Sequence, residues 1–261
     1  MFSKTIFKQT FKANFKLWLI ITLLLIVFCA LLIGVFKPET ISNLQDLIKG
    51  SPLESILEQQ TFLGMLAQTY YSIHGVILPI IFIIITANSL IASQVDRGSM
   101  AYLLSTPIKR SAVVGTQAVY MVTSILVMFI IVTIVGLFSI HIFQGDIDIN
   151  ITDYLLLNLG LFLLMFAISS ISFLFSCIFN LSKNSLALGA GIPIAFFLFQ
   201  LMSQVDESLE GFKYLSLNSL FDTNAILNDG SYLTQFIALA VVGVVLYGIG
   251  MRIFMEKDLP L

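Results

Sequence analysis

The chain has 261 residues, of which 58% are hydrophobic and 11% charged, against ~25% charged in an average soluble domain. That composition excludes an ordinary soluble globule; no nucleic-acid partner is expected, and the net charge of −2 says nothing on that point, the sidedness of the charge being the informative quantity.

Six long apolar stretches, 17–36, 74–94, 111–140, 154–180, 185–203 and 234–254, have the length of membrane spans, which need ~20 apolar residues each. The chain reads as an all-α integral membrane protein, residues 1–261 forming a single transmembrane domain. Sidedness follows from charge. With the N-terminus in the cytoplasm, the inner segments hold Lys4, Lys8, Lys12, Lys16, Arg97, Lys109, Arg110, Lys183, Arg252 and Lys257. The outer segments keep Lys37, Lys49 and Lys213, with every acidic residue except Asp96, Glu256 and Asp258. The excess of inner Lys and Arg selects this orientation, with both termini cytoplasmic.

Residues 1–16 read as an amphipathic elbow helix. Lys4, Lys8, Lys12 and Lys16 recur every four residues, beside a stripe of Phe7, Phe11 and Phe15. Such a helix suits the headgroup level, its lysines reaching anionic lipid; the same lysines also act as topology determinants. The run from Leu17 to Phe36 is longer than a leader's ~7–15-residue apolar core and lacks a small-x-small cleavage site, so it reads as an uncleaved first span.

Residues 37–73 form an outer loop with helical spacing at Leu44, Leu47 and Ile48. A capping box, Ser51-Pro52-Leu53-Glu54, follows, with Leu53, Ile56 and Leu57 on one face. Amphipathic helices are expected there. The second span contains Pro79, where a kink is expected, and ends in the polar stretch Asn88, Ser89, Ser93 and Gln94.

The fourth and fifth spans, joined around Lys183-Asn184, form an antiparallel pair. Ser169, Ser170, Ser172 and Ser176 line the fourth, while Ser185-x-x-x-Gly189 and Ala187-x-x-x-Gly191 mark the fifth. Small residues at this spacing let helix backbones approach, either within the chain or at a subunit interface. The acidic, semi-apolar loop 204–233 is expected to form short helices that dip into the outer leaflet or cap the bundle. Cys29 and Cys177 fall inside spans and read as packing residues.

The span cores carry no charge, which argues against a proton- or sodium-driven carrier acting alone. There is no G-x-x-x-x-G-K-[ST] phosphate loop, no H-E-x-x-H and no G-x-S-x-G. His74 and His141 are too few for a zinc site. No catalytic, cofactor-binding or metal-ligating residue is proposed. Neutral polar side chains on the spans, Asn88, Gln117, Asn158 and Gln200, are candidates for lining a path.

One segment stands apart. Residues 95–110, between the second and third spans, hold Met100, Leu103, Leu104 and Pro107 at i, i+3, i+4 and i+7, followed by Lys109 and Arg110. This is a short amphipathic helix whose apolar face requires lipid or a cytosolic partner.

The segment resembles the coupling region of type-2 ABC exporter permeases, in which an acidic residue, a Gly-Ser/Thr pair, a Leu-Leu pair and a Ser-x-Pro-x-x-Arg stretch follow the second span. Here these are Asp96, Gly98-Ser99, Leu103-Leu104 and Ser105-Thr106-Pro107-Ile108-Lys109-Arg110. Residues Phe254 to Leu261 resemble that family's Phe-x-x-[Lys/Arg]-Asp-Leu-Pro-Leu tail, and Tyr214 to Asp222 its last outer loop. Ala101 departs from the pattern, where Glu is common.

The resemblance covers the whole chain and implies a type V exporter fold. It implies a non-catalytic permease subunit in a bacterial cytoplasmic membrane, paired with an identical or homologous second permease. Each permease docks on a cytosolic ATPase subunit, two copies in all, which carries ATP and Mg. Asp96, Gly98, Ser99, Met100, Leu103, Leu104 and Pro107 are then the ATPase-coupling residues. Similar permeases export antimicrobial or cytolytic amphipathic peptides. The alternative is a membrane scaffold or regulator that holds a non-ATPase partner on the same helix.

Overall fold

The computed structural model describes residues 2–37, 40, 61–145, 149–203, 207–228 and 230–258. The expected amphipathic helices of the first outer loop, with Leu44, Leu47, Ile48 and Leu53, and the last three tail residues lie outside the described residues. Helix α1 is Lys4–Val35. Then α2 (Phe62–Leu66), a π-helical segment (Ala67–His74) and α3 (Gly75–Leu90) run on as one span. It breaks at Ile91, and α4 (Ala92–Asp96) follows. Next come α5 (Ser99–Leu104), α6 (Arg110–Phe143), α7 (Ile151–Ile178) and α8 (Ser182–Ser203). Two 3-10 helices, Glu207–Leu215 and Leu217–Leu220, lead through α9 (Thr223–Leu227) to α10 (Leu233–Glu256). Among the described residues six helices are long and apolar enough to cross a membrane.

The elbow is not a separate element. Its lysines and the first span share one 32-residue helix, about 48 Å long at ~1.5 Å per residue. Helix α6 has 34 residues and runs parallel to α1. Thr10 Oγ1 donates to Gln117 Oε1 at 3.1 Å, and Trp18 Nε1 donates to the Ser124 carbonyl at 2.9 Å. At the far end Gln144 Nε2 donates to the carbonyls of Ile33 at 2.9 Å and Phe36 at 2.8 Å. From Lys16 to Phe36 the rise is about 30 Å, which matches the ~30 Å hydrocarbon core. In this register the matching stretch of α6 runs from about Ser124 to Gln144. The first turns of α6 therefore run beside Lys4 to Phe15 of α1. Ile6 and Thr10 are buried while all four lysines are exposed. Packing against α6 thus holds the N-terminal segment in line with the span, instead of flat on lipid.

The second span also starts earlier than hydropathy indicated. Residues 62–73, expected in the outer loop, are helical, with Phe62, Leu66, Tyr70 and Tyr71 buried. The π-helical turns end one residue before Gly75, whose carbonyl would clash with the Pro79 ring in a regular helix. The distortion expected at Pro79 is thus preceded by a widened segment.

Helix α7 sits at the centre and packs against α3, α6, α8 and α10. Its serines reach three different neighbours. Ser169 Oγ and the Tyr247 hydroxyl of α10 lie 2.8 Å apart, Ser172 Oγ donates to the Gly189 carbonyl of α8 at 2.6 Å, and Ser176 Oγ accepts the Ala92 amide of α4 at 3.0 Å. Of the two small-residue pairs on the fifth span, Ser185 and Gly189 are buried, whereas Ala187 and Gly191 are exposed. Helix α10 seats itself on α7 through Gly243 and Gly250, with Tyr247 between the Phe166 and Phe173 rings at 5.5 and 5.0 Å.

Gly136 of α6 fills a similar role, because a Cβ there would land on the Tyr154 hydroxyl and come within 3.3 Å of Cys29 Sγ. Gly136→Val is expected to lower stability by about 1–3 kcal/mol through overpacking. Tyr154→Phe in that background should recover part of the loss, read as melting temperature in detergent.

Candidate functional site

The coupling segment lies at the end of the bundle that carries the basic residues, here termed the basic end. Helix α3 breaks at Ile91, with φ −133° and ψ −66°, which frees amides that a continuous helix would pair. The Ala92 amide is the one Ser176 accepts. Four residues later Asp96 ends α4, and Gly98 turns the chain at φ 73°, a left-handed conformation that costs a side-chain-bearing residue ~1–2 kcal/mol. Helix α5 starts at the next residue.

Part of the apolar face of helix α5 is covered by the chain itself. Met100 is fully buried, and Leu103 and Leu104 are half-buried against the core. These three were expected to form the docking face. With α5 only six residues long, its apolar side has nowhere to go except onto the ends of the spans. The outward face carries Ser99 and Tyr102, at i and i+3, with Thr106 exposed just past the helix end. Tyr102 is 81% exposed. Pro107 is exposed beyond the helix. Completing the helical wheel around Met100 would have identified Tyr102.

Asp96 is engaged within the chain. Its Oδ2 accepts the Ser182 amide at 3.1 Å, so a carboxylate sits at the N-terminus of α8, where the helix dipole favours it. Asn88 Nδ2 donates to Ser182 Oγ at 2.7 Å. At the other end of the segment, Arg110 Nη1 donates to the Lys257 carbonyl at 2.8 Å. Lys257 Nζ in turn donates to the carbonyls of Cys177 at 3.1 Å and Ile178 at 2.8 Å, which caps the last turn of α7. Burial holds the Lys257 ammonium below the usual lysine pKa. Ser99 Oγ donates to the Gln94 carbonyl at 3.1 Å. Ser182 was not singled out from the sequence, and Lys257 was read only as an inner charge and part of the tail pattern, because a cap supplied from a distant segment leaves no local pattern.

The candidate path-lining residues are all tied to other elements. Besides Asn88 and Gln117, Asn158 Nδ2 donates to the Tyr71 hydroxyl at 2.6 Å and to the Tyr154 carbonyl at 2.8 Å. Asn218 Nδ2 donates to Gln200 Oε1 at 2.7 Å. Gln117 lies level with Thr10, on the basic side of Lys16. The sequence chose these four for being polar within apolar runs; in the fold each joins two elements.

The chain matches the family described as ABC-2 family transporter protein over residues 7–259. It belongs to that family. No curated protein and no solved structure gives a match. Membership makes this ABC-2 protein a multi-pass permease subunit of an ABC transporter, working with a cytosolic ATPase.

Ser176→Ala leaves the buried Ala92 amide without its acceptor and is expected to cost about 1–3 kcal/mol. Ser170→Ala, whose hydroxyl bonds to the Ala167 carbonyl of its own helix, should cost less. Gly98→Ala meets no neighbouring atom and should cost only the ~1–2 kcal/mol of its backbone. Chemical or thermal unfolding of the three variants in detergent ranks them.

Proposed function

We propose that this ABC-2 permease is the membrane half of an ATP-driven exporter in a bacterial cytoplasmic membrane, with its basic end in the cytoplasm. Two copies of the permease, or one and a homologue, enclose the path, and two ATPase subunits dock on their coupling segments. ATP and Mg belong to the ATPase; this chain binds neither. The observation that carries this reading is the two-faced α5. Met100 anchors it inward, and Tyr102, Ser99 and Thr106 face away from the bundle. An exposed Tyr on a short helix has the amphipathic character of an interface anchor.

The lysines of α1 fit the same placement. Lys12 and Lys16 lie within about 6 Å of the hydrocarbon edge by helix rise and reach anionic headgroups. Lys4 and Lys8 lie deeper on the cytoplasmic side. For cargo we favour an amphipathic, antimicrobial or cytolytic peptide, because the span cores present apolar surface without a fixed charge.

Purification of the native complex in mild detergent tests the assignment. A stoichiometric ATPase subunit with vanadate-sensitive hydrolysis is expected, and a preparation without any nucleotide-binding partner would sink it. Tyr102→Ala should leave stability nearly unchanged and reduce ATPase retention about tenfold or more, the scale of a hot-spot truncation. Met100→Asp should instead reduce the folded permease itself. Cells with and without the complex, challenged with cationic amphipathic peptides, should differ in sensitivity; identical sensitivity would remove peptides as the cargo.

A further inference from the structure

Both ends of the coupling segment are fastened to the same place. Asp96, at its start, holds the first amide of α8. Arg110, at its finish, holds the carbonyl of Lys257, whose ammonium holds the last carbonyls of α7. The turn between Ile178 and Ser182 is therefore gripped from two sides, on the α7 carbonyls by a cation and on the α8 amide by an anion. Each charge sits at the helix end its sign favours. By contrast, the covalent route from α5 into its own span is interrupted at Ile91.

We infer that Asp96 and Lys257 are positioning residues that make the coupling segment and the α7–α8 turn one moving unit. This rests on the ATPase-docking reading above. A displacement imposed on α5 then passes through Asp96 and Lys257 into α7, the helix on which α3, α6, α8 and α10 all pack, and the Ile91 break lets the segment tilt without dragging α3. Asp96 thereby acts inside the permease and not as a contact to the ATPase.

The test uses the complex of permease with its co-purifying ATPase. Spin labels are placed at Ser105→Cys on the coupling segment and, in a second sample, at Asn184→Cys beside the turn. Each is measured against a label at Phe138→Cys, with labelled permease diluted in unlabelled chain. These three sites are exposed, whereas Cys29 and Cys177 are buried and escape labelling. In the otherwise native chain, trapping with ATP and vanadate is expected to shift both distances. Asp96→Ala should keep the Ser105 shift and lose the Asn184 shift. Asp96→Asn, which caps a helix about as well, should keep both. Lys257→Met, which keeps length but has no donor, should lose at least half of the Asn184 shift. A full Asn184 shift in Asp96→Ala overturns the inference. Should Asp96→Ala not fold, a full Asn184 shift in Lys257→Met overturns it equally. Absence of any Ser105 shift in the otherwise native chain instead defeats the docking reading, which separates the two failures.

Discussion

A backbone group inside or beside hydrocarbon has no water to turn to, so each helix end and break must find its partner within the protein. The arrangement of this permease follows from that constraint. Where α1 ends, Gln144 reaches across from the end of α6 to its carbonyls. Where α3 breaks, Ser176 of α7 accepts the freed amide. Where α7 turns into α8, Lys257 and Asp96 cap the two facing ends. These polar ties join segments far apart in sequence and set the register between helices whose lipid-facing surfaces are uniformly apolar.

Packing supplies the rest. Lipid is as apolar as leucine, so spans associate through close approach and hydrogen bonds and not through escape from water. Helix α7 meets both needs. Ser169, Ser172 and Ser176 are short enough to let α10, α8 and α4 come near, and each hydroxyl bonds to the helix that arrives. Gly243 and Gly250 of α10 and Gly136 of α6 remove bulk at the points where Phe166, Leu174 and Tyr154 would otherwise collide. The central helix accordingly presents serines where α10, α8 and α4 approach and bulky side chains where glycines of α10 and α6 receive them.

The span count was legible because a run of ~20 apolar residues is a local property. The coupling helix was legible as an amphipathic segment for the same reason. Its orientation was not: the period of Met100, Leu103 and Leu104 marks a face without saying what covers it. The same gap explains Asn88, Gln117, Asn158 and Gln200. A polar residue in an apolar run signals that a partner exists, and whether that partner is cargo or another helix depends on contacts distant in sequence. The N-terminal lysine stripe was read correctly as exposed, but its direction depended on α6, to which Thr10 and Trp18 are tied. Hydropathy placed the start of α6 within one residue, at 111 against Arg110, although Val113, Val114, Ala118 and Met121 there are buried against protein.

The tie between Gln144 and Phe36 joins positions 108 apart in the chain. At a synthesis rate of roughly 5–20 residues per second, the ribosome needs on the order of 5–20 s to travel that far. For that interval the final carbonyls of the first helix face headgroups or water, because the residue that caps them has not yet been made. The finished register of this permease is therefore settled by a residue that leaves the ribosome after three of its spans have already emerged.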